Sequence, residues 1–299
     1  MKKIVVVGDF GLSMEQKERL ERVGEVSYIL VPNSSDEWLE KVQGMDVICS
    51  DGDYLLENLE KLENVFVTYP YIELGSFDSK KLAERGVYVA NTRGSNKNSI
   101  VEWVLFMTLA LFRDFIPAVN ATESMPFTRT RSLENKKVLI VGKGNIGTQI
   151  GKICGAFGMN VDFYTREDNL IQKIQDVDLI INALTSNPTS KNLLNEEFFM
   201  SVKKGANFIS FVRPHTYDLQ GLLKSLDAGV MGKAALDADP EASGDTTNDF
   251  YRAALAQEKI LVTPHVAFAT EEAGITGNEF LVQNVENFLK GKPSTVVEK

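Results

Sequence analysis

Apolar positions in the first third of the chain follow two rhythms. Short runs at residues 4–7, 26–30, 47–49, 65–68 and 87–89 have the length and β-branched content of buried strands. Between them, 16–23, 37–42 and 79–85 repeat apolar residues three or four apart, which predicts helices with one face turned to a sheet. Strand and helix alternate through short connections, so the pattern predicts a parallel sheet covered by helices. The polar, turn-rich stretch NTRGSNKN at 91–98 interrupts it and reads as a crossing into a second domain. Residues 99–115 then read SIVEWVLFMTLALFRDF, with Glu102 and Arg113 as their main charges. So apolar a segment predicts a helix buried on nearly all sides, by a core or by a second subunit of a homodimer.

From residue 138 the alternation resumes. Runs at 138–141, 161–165, 179–183, 207–212, 233–236 and 260–262 predict six strands, with helices around 196–202, 219–227 and 250–256. That is enough for a complete six-stranded doubly wound sheet. A last helix over 271–289 carries Phe280, Val285, Phe288 and Leu289 and stops at Gly291 and Pro293.

Within this second half, residues 136–166 read KKVLIVGKGNIGTQIGKICGAFGMNVDFYTR. A buried strand stops at Gly142, and Gly142, Gly144 and Gly147 fall in the spacing G-x-G-x-x-G. Ile146, Ile150, Ile153, Cys154 and Phe157 follow at helical spacing and predict one stripe packed on the sheet. Gly142 permits the tight turn, Gly144 lets a pyrophosphate approach the backbone, and Gly147 lets the helix sit close to the strand. An anion there meets the backbone N–H groups of Gly144, Asn145, Ile146 and Gly147 and the positive end of the helix dipole. The unit therefore predicts dinucleotide binding. NAD-binding units usually end the second strand on an acidic residue that holds the ribose 2′-hydroxyl. Here Thr165 and Arg166 stand at that place, and a hydroxyl with a guanidinium suits a 2′-phosphate, so NADP(H) is expected ahead of NAD(H). Glu167 and Asp168, next in sequence, keep NAD(H) open.

Charge acts mainly by exclusion. The chain has 32 Lys+Arg against 41 Asp+Glu, a net −9, which argues against general binding to nucleic acid or to an anionic membrane. No apolar run approaches the roughly 20 residues that span a bilayer. Cys49 and Cys154 show no CxxC pairing and no metal-ligand spacing, so they read as small buried residues and no metal site is expected. MKKIVVVGDF reads as a first strand, not as a leader, and a soluble cytoplasmic protein is expected. Of the two histidines, His215 and His265, the latter follows a predicted strand near the carboxyl edge where open α/β sheets present their sites.

In their joint order, GVYVANTRG, SIVEW, LENKKVLIVGKGNIG, KICGAFGMNV, FVRP, KAALDAD and VTPHVAF resemble the D-isomer-specific 2-hydroxyacid dehydrogenases, over roughly residues 45–293. The resemblance implies an α/β protein in which a Rossmann-type dinucleotide domain, 94–266, is inserted into a smaller flavodoxin-like substrate domain, 1–93 plus 267–299. The active site would lie between them. It also implies that Arg213 in FVRP anchors the substrate carboxylate and polarises the 2-oxo group, a task suited to a bidentate fork. His265 in TPH would be the acid/base, and Asp237 in ALDAD would sit near the nicotinamide.

Some positions depart from the family pattern. The family's glutamate partner of the histidine falls at Ala242, and Glu241, one residue short, is the candidate replacement. The Gly-x-Gly stretch expected in the substrate loop is YPYIELGSFD, with Tyr71 and Glu73 near the expected glycines, and Pro214 replaces the glycine usual after the arginine. The leading expectation is an NADP(H)- or NAD(H)-dependent reductase of a small 2-oxoacid such as glyoxylate or hydroxypyruvate. The alternative is a dinucleotide-binding regulatory or scaffold protein that keeps the fold with little or no turnover.

Overall fold

The computed structural model describes residues 1–72, 77–122, 129–238 and 244–297. The chain forms two compact units, one of Met1–Asn96 with Thr270–Lys299 and one of Lys97–Ala269.

The first unit runs β1 (Lys3–Val7), α1 (Met14–Val23), β2 (Glu25–Ile29), α2 (Ser35–Val42), β3 (Val47–Cys49), α3 (Asp53–Asn58), β4 (Phe66–Thr68), α4 (Ser79–Glu84) and β5 (Tyr88–Ala90). Its strands pair in parallel in the order β2-β1-β3-β4-β5. Successive strand residues face opposite sides, which is why an unbroken apolar run was needed. Val5 and Val7 pack with Trp38, Val42, Leu55 and Leu59 on one face. Ile4 and Val6 pack with Leu20 of α1 on the other, together with Leu281, Val282 and Val285 from the far end of the chain. That returning helix is tied in by polar groups as well. Buried Asn284 donates to Thr68 Oγ1 at 3.2 Å and to the Asn91 carbonyl at 2.9 Å, and its own oxygen accepts from Thr295 Oγ1 at 2.6 Å and Ser294 Oγ at 3.2 Å. Arg19 of α1 forks between Glu279 and Glu286 at 2.7 and 2.9 Å.

The second unit runs α5 (Lys97–Arg113), α6 (Phe115–Val119), β6 (Lys137–Val141), α7 (Asn145–Ala156), β7 (Asn160–Tyr164), α8 (Leu170–Ile174), β8 (Leu179–Asn182), α9 (Glu196–Met200), β9 (Ala206–Ser210), α10 (Leu219–Asp227), β10 (Met231–Asp237), α11 (Asp249–Leu255) and β11 (Ile260–Thr263). The returning helix of the first unit is α12 (Glu271–Leu289). The six expected strands form one parallel sheet, β11-β10-β9-β8-β6-β7. Val138 and Ile140 of β6 face α5 and α7, and Leu139 and Val141 face the layer that holds α9 and α10.

One expectation about burial is narrowed and one is corrected. Within its own chain, segment 99–115 keeps an open face, so the core supplies only part of the cover expected from a core or a second subunit: Phe106 is 52% exposed, and the helix breaks at Asp114, with φ 48, before Phe115, which is 44% exposed. The two rings meet edge to face at 6.2 Å. Phe157 does not join the buried stripe of α7, because it lies just past the helix end and is 46% exposed. No helix among the described residues is long and apolar enough to cross a membrane.

Candidate functional site

The glycine turn after β6 has little tolerance for side chains. Gly142 has φ 121, and a Cβ there would stand 2.4 Å from the Ala183 carbonyl oxygen; one on Gly147 would stand 2.1 Å from the Gly142 carbonyl oxygen. These contacts are what the tight turn and the close helix–strand packing require. Gly144 differs, since its Cβ would meet nothing within 4 Å. It is the N-cap of α7, with no side chain capping the helix. By contrast, Ser13, Ser34, Asp78, Asn169, Asn195, Asp218, Asn248 and Thr270 each accept a backbone N–H at the start of their own helices. The first turn of α7, through Asn145, Ile146 and Gly147, therefore presents uncapped N–H groups beside open space. This is the arrangement that receives a pyrophosphate, and the residues fit a nicotinamide dinucleotide.

At the end of β7, Thr165 is engaged locally. Its N–H and its hydroxyl both donate to Asp168 Oδ2, at 2.7 and 2.9 Å. These bonds hold the Asp168 carboxyl below the usual carboxylate range, so a negative charge stands beside Thr165 near neutrality. Arg166 reaches Thr189 Oγ1 at 3.3 Å, on the loop after β8.

Arg213, Asp237 and His265 belong to three adjacent strand ends, since β9, β10 and β11 are neighbours in the sheet and all point the same way. Arg213 is exposed and leads into a short 3₁₀ turn, Pro214–Thr216, whose Thr216 N–H and hydroxyl both donate to the Arg213 carbonyl at 3.2 Å. Buried Asn182, ending β8, anchors that turn by donating to Ser210 Oγ at 3.1 Å and Thr216 Oγ1 at 2.9 Å. His215 has Nε2 at 3.1 Å from the Asn187 carbonyl. A carbonyl only accepts, so this nitrogen carries a proton and ties the loops after β8 and β9 together.

Asp237 is 3% exposed. Its Oδ1 accepts from Thr263 Oγ1 at 2.5 Å and from Val266 N–H at 3.0 Å, and its Oδ2 accepts from Ala267 N–H at 2.9 Å. Burial pushes the carboxyl above the usual carboxylate range, against the pull of these bonds and of nearby His265. His265 itself has φ 54, in the left-handed region. Its N–H donates to the Thr263 carbonyl at 3.1 Å, and its ring meets Phe268 at 5.2 Å and 63°.

Glu241 and Glu73 lie outside the described residues. Tyr71, in the other unit, is half exposed, and its carbonyl accepts from Thr92 N–H and Oγ1 at 3.0 and 3.1 Å. Sequence reasoning missed Asn182, Ser210 and Thr263. Their signal was a polar residue closing an otherwise apolar strand run, where burial demands a hydrogen-bond partner.

Residues 105–267 match the family model described as D-isomer specific 2-hydroxyacid dehydrogenase, NAD binding domain. A putative 2-hydroxyacid dehydrogenase of Haemophilus influenzae is 25% identical over 283 residues, covering 86% of this chain and 88% of that protein. A D-lactate dehydrogenase of Staphylococcus aureus is 27% identical over 253 residues, covering 71% and 76%. Among solved structures, an acyclic imino acid reductase in complex with NADPH and D-Arg shares the fold, with a TM-score of 0.82 at 20% identity, covering 99% of this chain and 100% of that one.

Proposed function

Because the chain belongs to the D-isomer specific 2-hydroxyacid dehydrogenase family, whose members are nicotinamide-dependent oxidoreductases, we propose that it reduces a short 2-oxoacid, glyoxylate or hydroxypyruvate, to the D-2-hydroxyacid. The observation that carries this reading is the placement of Arg213 and His265 on strand ends either side of Asp237, in the unit that also holds the uncapped glycine turn. Arg213 has the fork to grip the substrate carboxylate in two parallel hydrogen bonds. His265 holds the proton that the carbonyl oxygen takes up on reduction, and it would recover one when the alcohol is oxidised. The bound cofactor supplies the hydride that reaches C2. Glu241 is proposed as the partner of His265, in place of the glutamate that Ala242 displaces.

We assign NADP(H) as the preferred cofactor and NAD(H) as an accepted one. Arg166 favours a 2′-phosphate, and the Asp168 carboxylate beside Thr165 opposes it, so the preference is modest. A homodimer is proposed through the open face of α5 and α6, where Phe106, Phe115 and Val119 stand exposed together on one continuous segment. The two buried free thiols, Cys49 and Cys154, fit the cytoplasm.

The test is oxidation of NADPH and NADH, side by side, with glyoxylate, hydroxypyruvate and pyruvate. Saturable turnover is expected, faster with NADPH, and Arg166→Asp should reverse the cofactor order. Replacement of Arg213 or His265 by Ala should abolish turnover with cofactor binding intact. Cofactor binding without turnover on any of these acids would favour the regulatory or scaffold reading, which the substitutions at Ala242 and Pro214 support.

A further inference from the structure

Asp237 stands at the end of β10, nearly fully buried, and both of its oxygens are committed to the last residue of β11 and the loop that follows it. The three donors bracket one residue. Thr263 lies two positions before His265, and Val266 and Ala267 follow it directly. Between these fixed points the backbone of His265 turns into the left-handed region, which residues bearing a side chain seldom adopt without outside constraint. Two further bonds close the same loop: Ala238 N–H donates to the Thr263 carbonyl at 2.8 Å, and Gly244 N–H donates to the Pro264 carbonyl at 2.8 Å.

We propose that Asp237 is the positioning residue of the proton donor: its carboxylate grips the peptide on both sides of His265, holds that residue in its left-handed conformation and so fixes the imidazole at the carboxyl edge of the sheet. This role is distinct from a contact with the nicotinamide ring. It rests on the reading of His265 as acid/base, and the experiment below separates the two.

The chemistry of the grip explains the residue type. Three donors converge on one side chain, and a carboxylate accepts all of them, whereas an amide offers one acceptor oxygen and turns its NH₂ towards a donor. A buried donor left facing a donor costs more than the lost bond itself, so the loop would relax from its strained form. The imidazole would then swing away from Phe268, and a displacement of about 1 Å at a reacting group is enough to cost on the order of a hundredfold in rate.

The test compares Asp237→Asn and Thr263→Val in the full-length protein by three readouts. Proton NMR follows the imidazole CH signals, which are separable because the chain has two histidines and His215→Gln assigns them. Fluorescence titration gives the dinucleotide Kd, and steady-state assay gives kcat. We expect both variants to move the His265 signals, which feel the Phe268 ring, and to leave those of His215 in place. For Asp237→Asn, kcat should fall at least tenfold, and for Thr263→Val severalfold, with Kd unchanged within twofold in each. Unmoved His265 signals, or a Kd that weakens in step with kcat, would overturn the proposal and make Asp237 a direct cofactor contact. If Asp237→Asn does not fold, Thr263→Val decides, since it keeps the carboxylate and deletes one donor. Full turnover in His265→Ala would instead defeat the acid/base reading and leave the NMR result standing.

Discussion

The β1–α1 corner and the β6–α7 corner occupy the same place in their two sheets, with the second strand of the unit on one side and the third on the other. Strand order reverses at both, the position where open α/β sheets collect ligands. The corners nonetheless end differently. After β1, residues 8–13 lead to Ser13, whose hydroxyl accepts from Gln16 N–H at 3.2 Å while Gln16 Oε1 accepts from Ser13 N–H at 3.0 Å. That reciprocal pair spends the helix terminus on the protein's own side chains. After β6, residues 142–144 lead directly into α7, and no side chain competes for its first N–H groups. The comparison teaches that topology selects the place and the few residues of the corner decide whether it is closed or left open for an anion.

The largest break in the comparison comes from Gly147→Val. The new Cβ would lie 2.1 Å from the Gly142 carbonyl oxygen, where backbone must move, so the open corner loses its shape. Destabilisation by about 3 kcal/mol is expected in chemical denaturation, with dinucleotide binding lost in titration. A sharper probe is Gly144→Asp, since the Cβ has open space and the carboxylate can cap α7 as Ser13 caps α1. Thermal stability should hold or rise, while cofactor Kd weakens by roughly tenfold or more through repulsion and lost N–H groups. Smallest is the reverse change, Ser13→Ala, which opens the closed corner. It should cost about 1 kcal/mol of stability and leave dinucleotide affinity untouched, because α1 lacks the glycine turn that admits a pyrophosphate.

These corners also show what was legible in the sequence. In the second unit the central strands β6, β8 and β9 could be read because they are apolar runs buried on both faces, and the edge strand β7, interrupted by Asp162 and only partly buried, could be read from its place after the glycine turn and helix. The glycine spacing was legible because Gly142 and Gly147 each meet a local steric demand, while Gly144 between them keeps the turn open. Helices α3 and α8, of six and five residues, were not read, although the equally short α4 and α9 were. The open face of α5 was hidden as well, because composition reports how apolar a helix is but not which side has a neighbour. At the candidate site, His265 and Arg213 could be named, but the grip of Asp237 on Thr263, Val266 and Ala267 joins residues that are 26 to 30 positions apart. Hydrogen bonds of that reach follow from strand register, which no local pattern reveals. Thr165 shows the opposite failure. The residue was noticed, but its hydroxyl turns back to Asp168, three residues on.

The Asn284 cluster has a consequence for the order in which the protein is made. The first unit's sheet is complete by Ala90, yet the face that carries Ile4, Val6 and Leu20 completes its packing with Leu281, Val282 and Val285, and Thr68 and Asn91 gain their Asn284 partner there. On a ribosome adding about 5–20 residues per second, that apolar face waits roughly 10–40 s for its cover. Meanwhile Lys97–Ala269 has emerged in full. The inserted unit can therefore fold first, and the unit that begins the chain is finished last, leaving the nascent polypeptide most exposed to chaperones and to aggregation at its oldest strands.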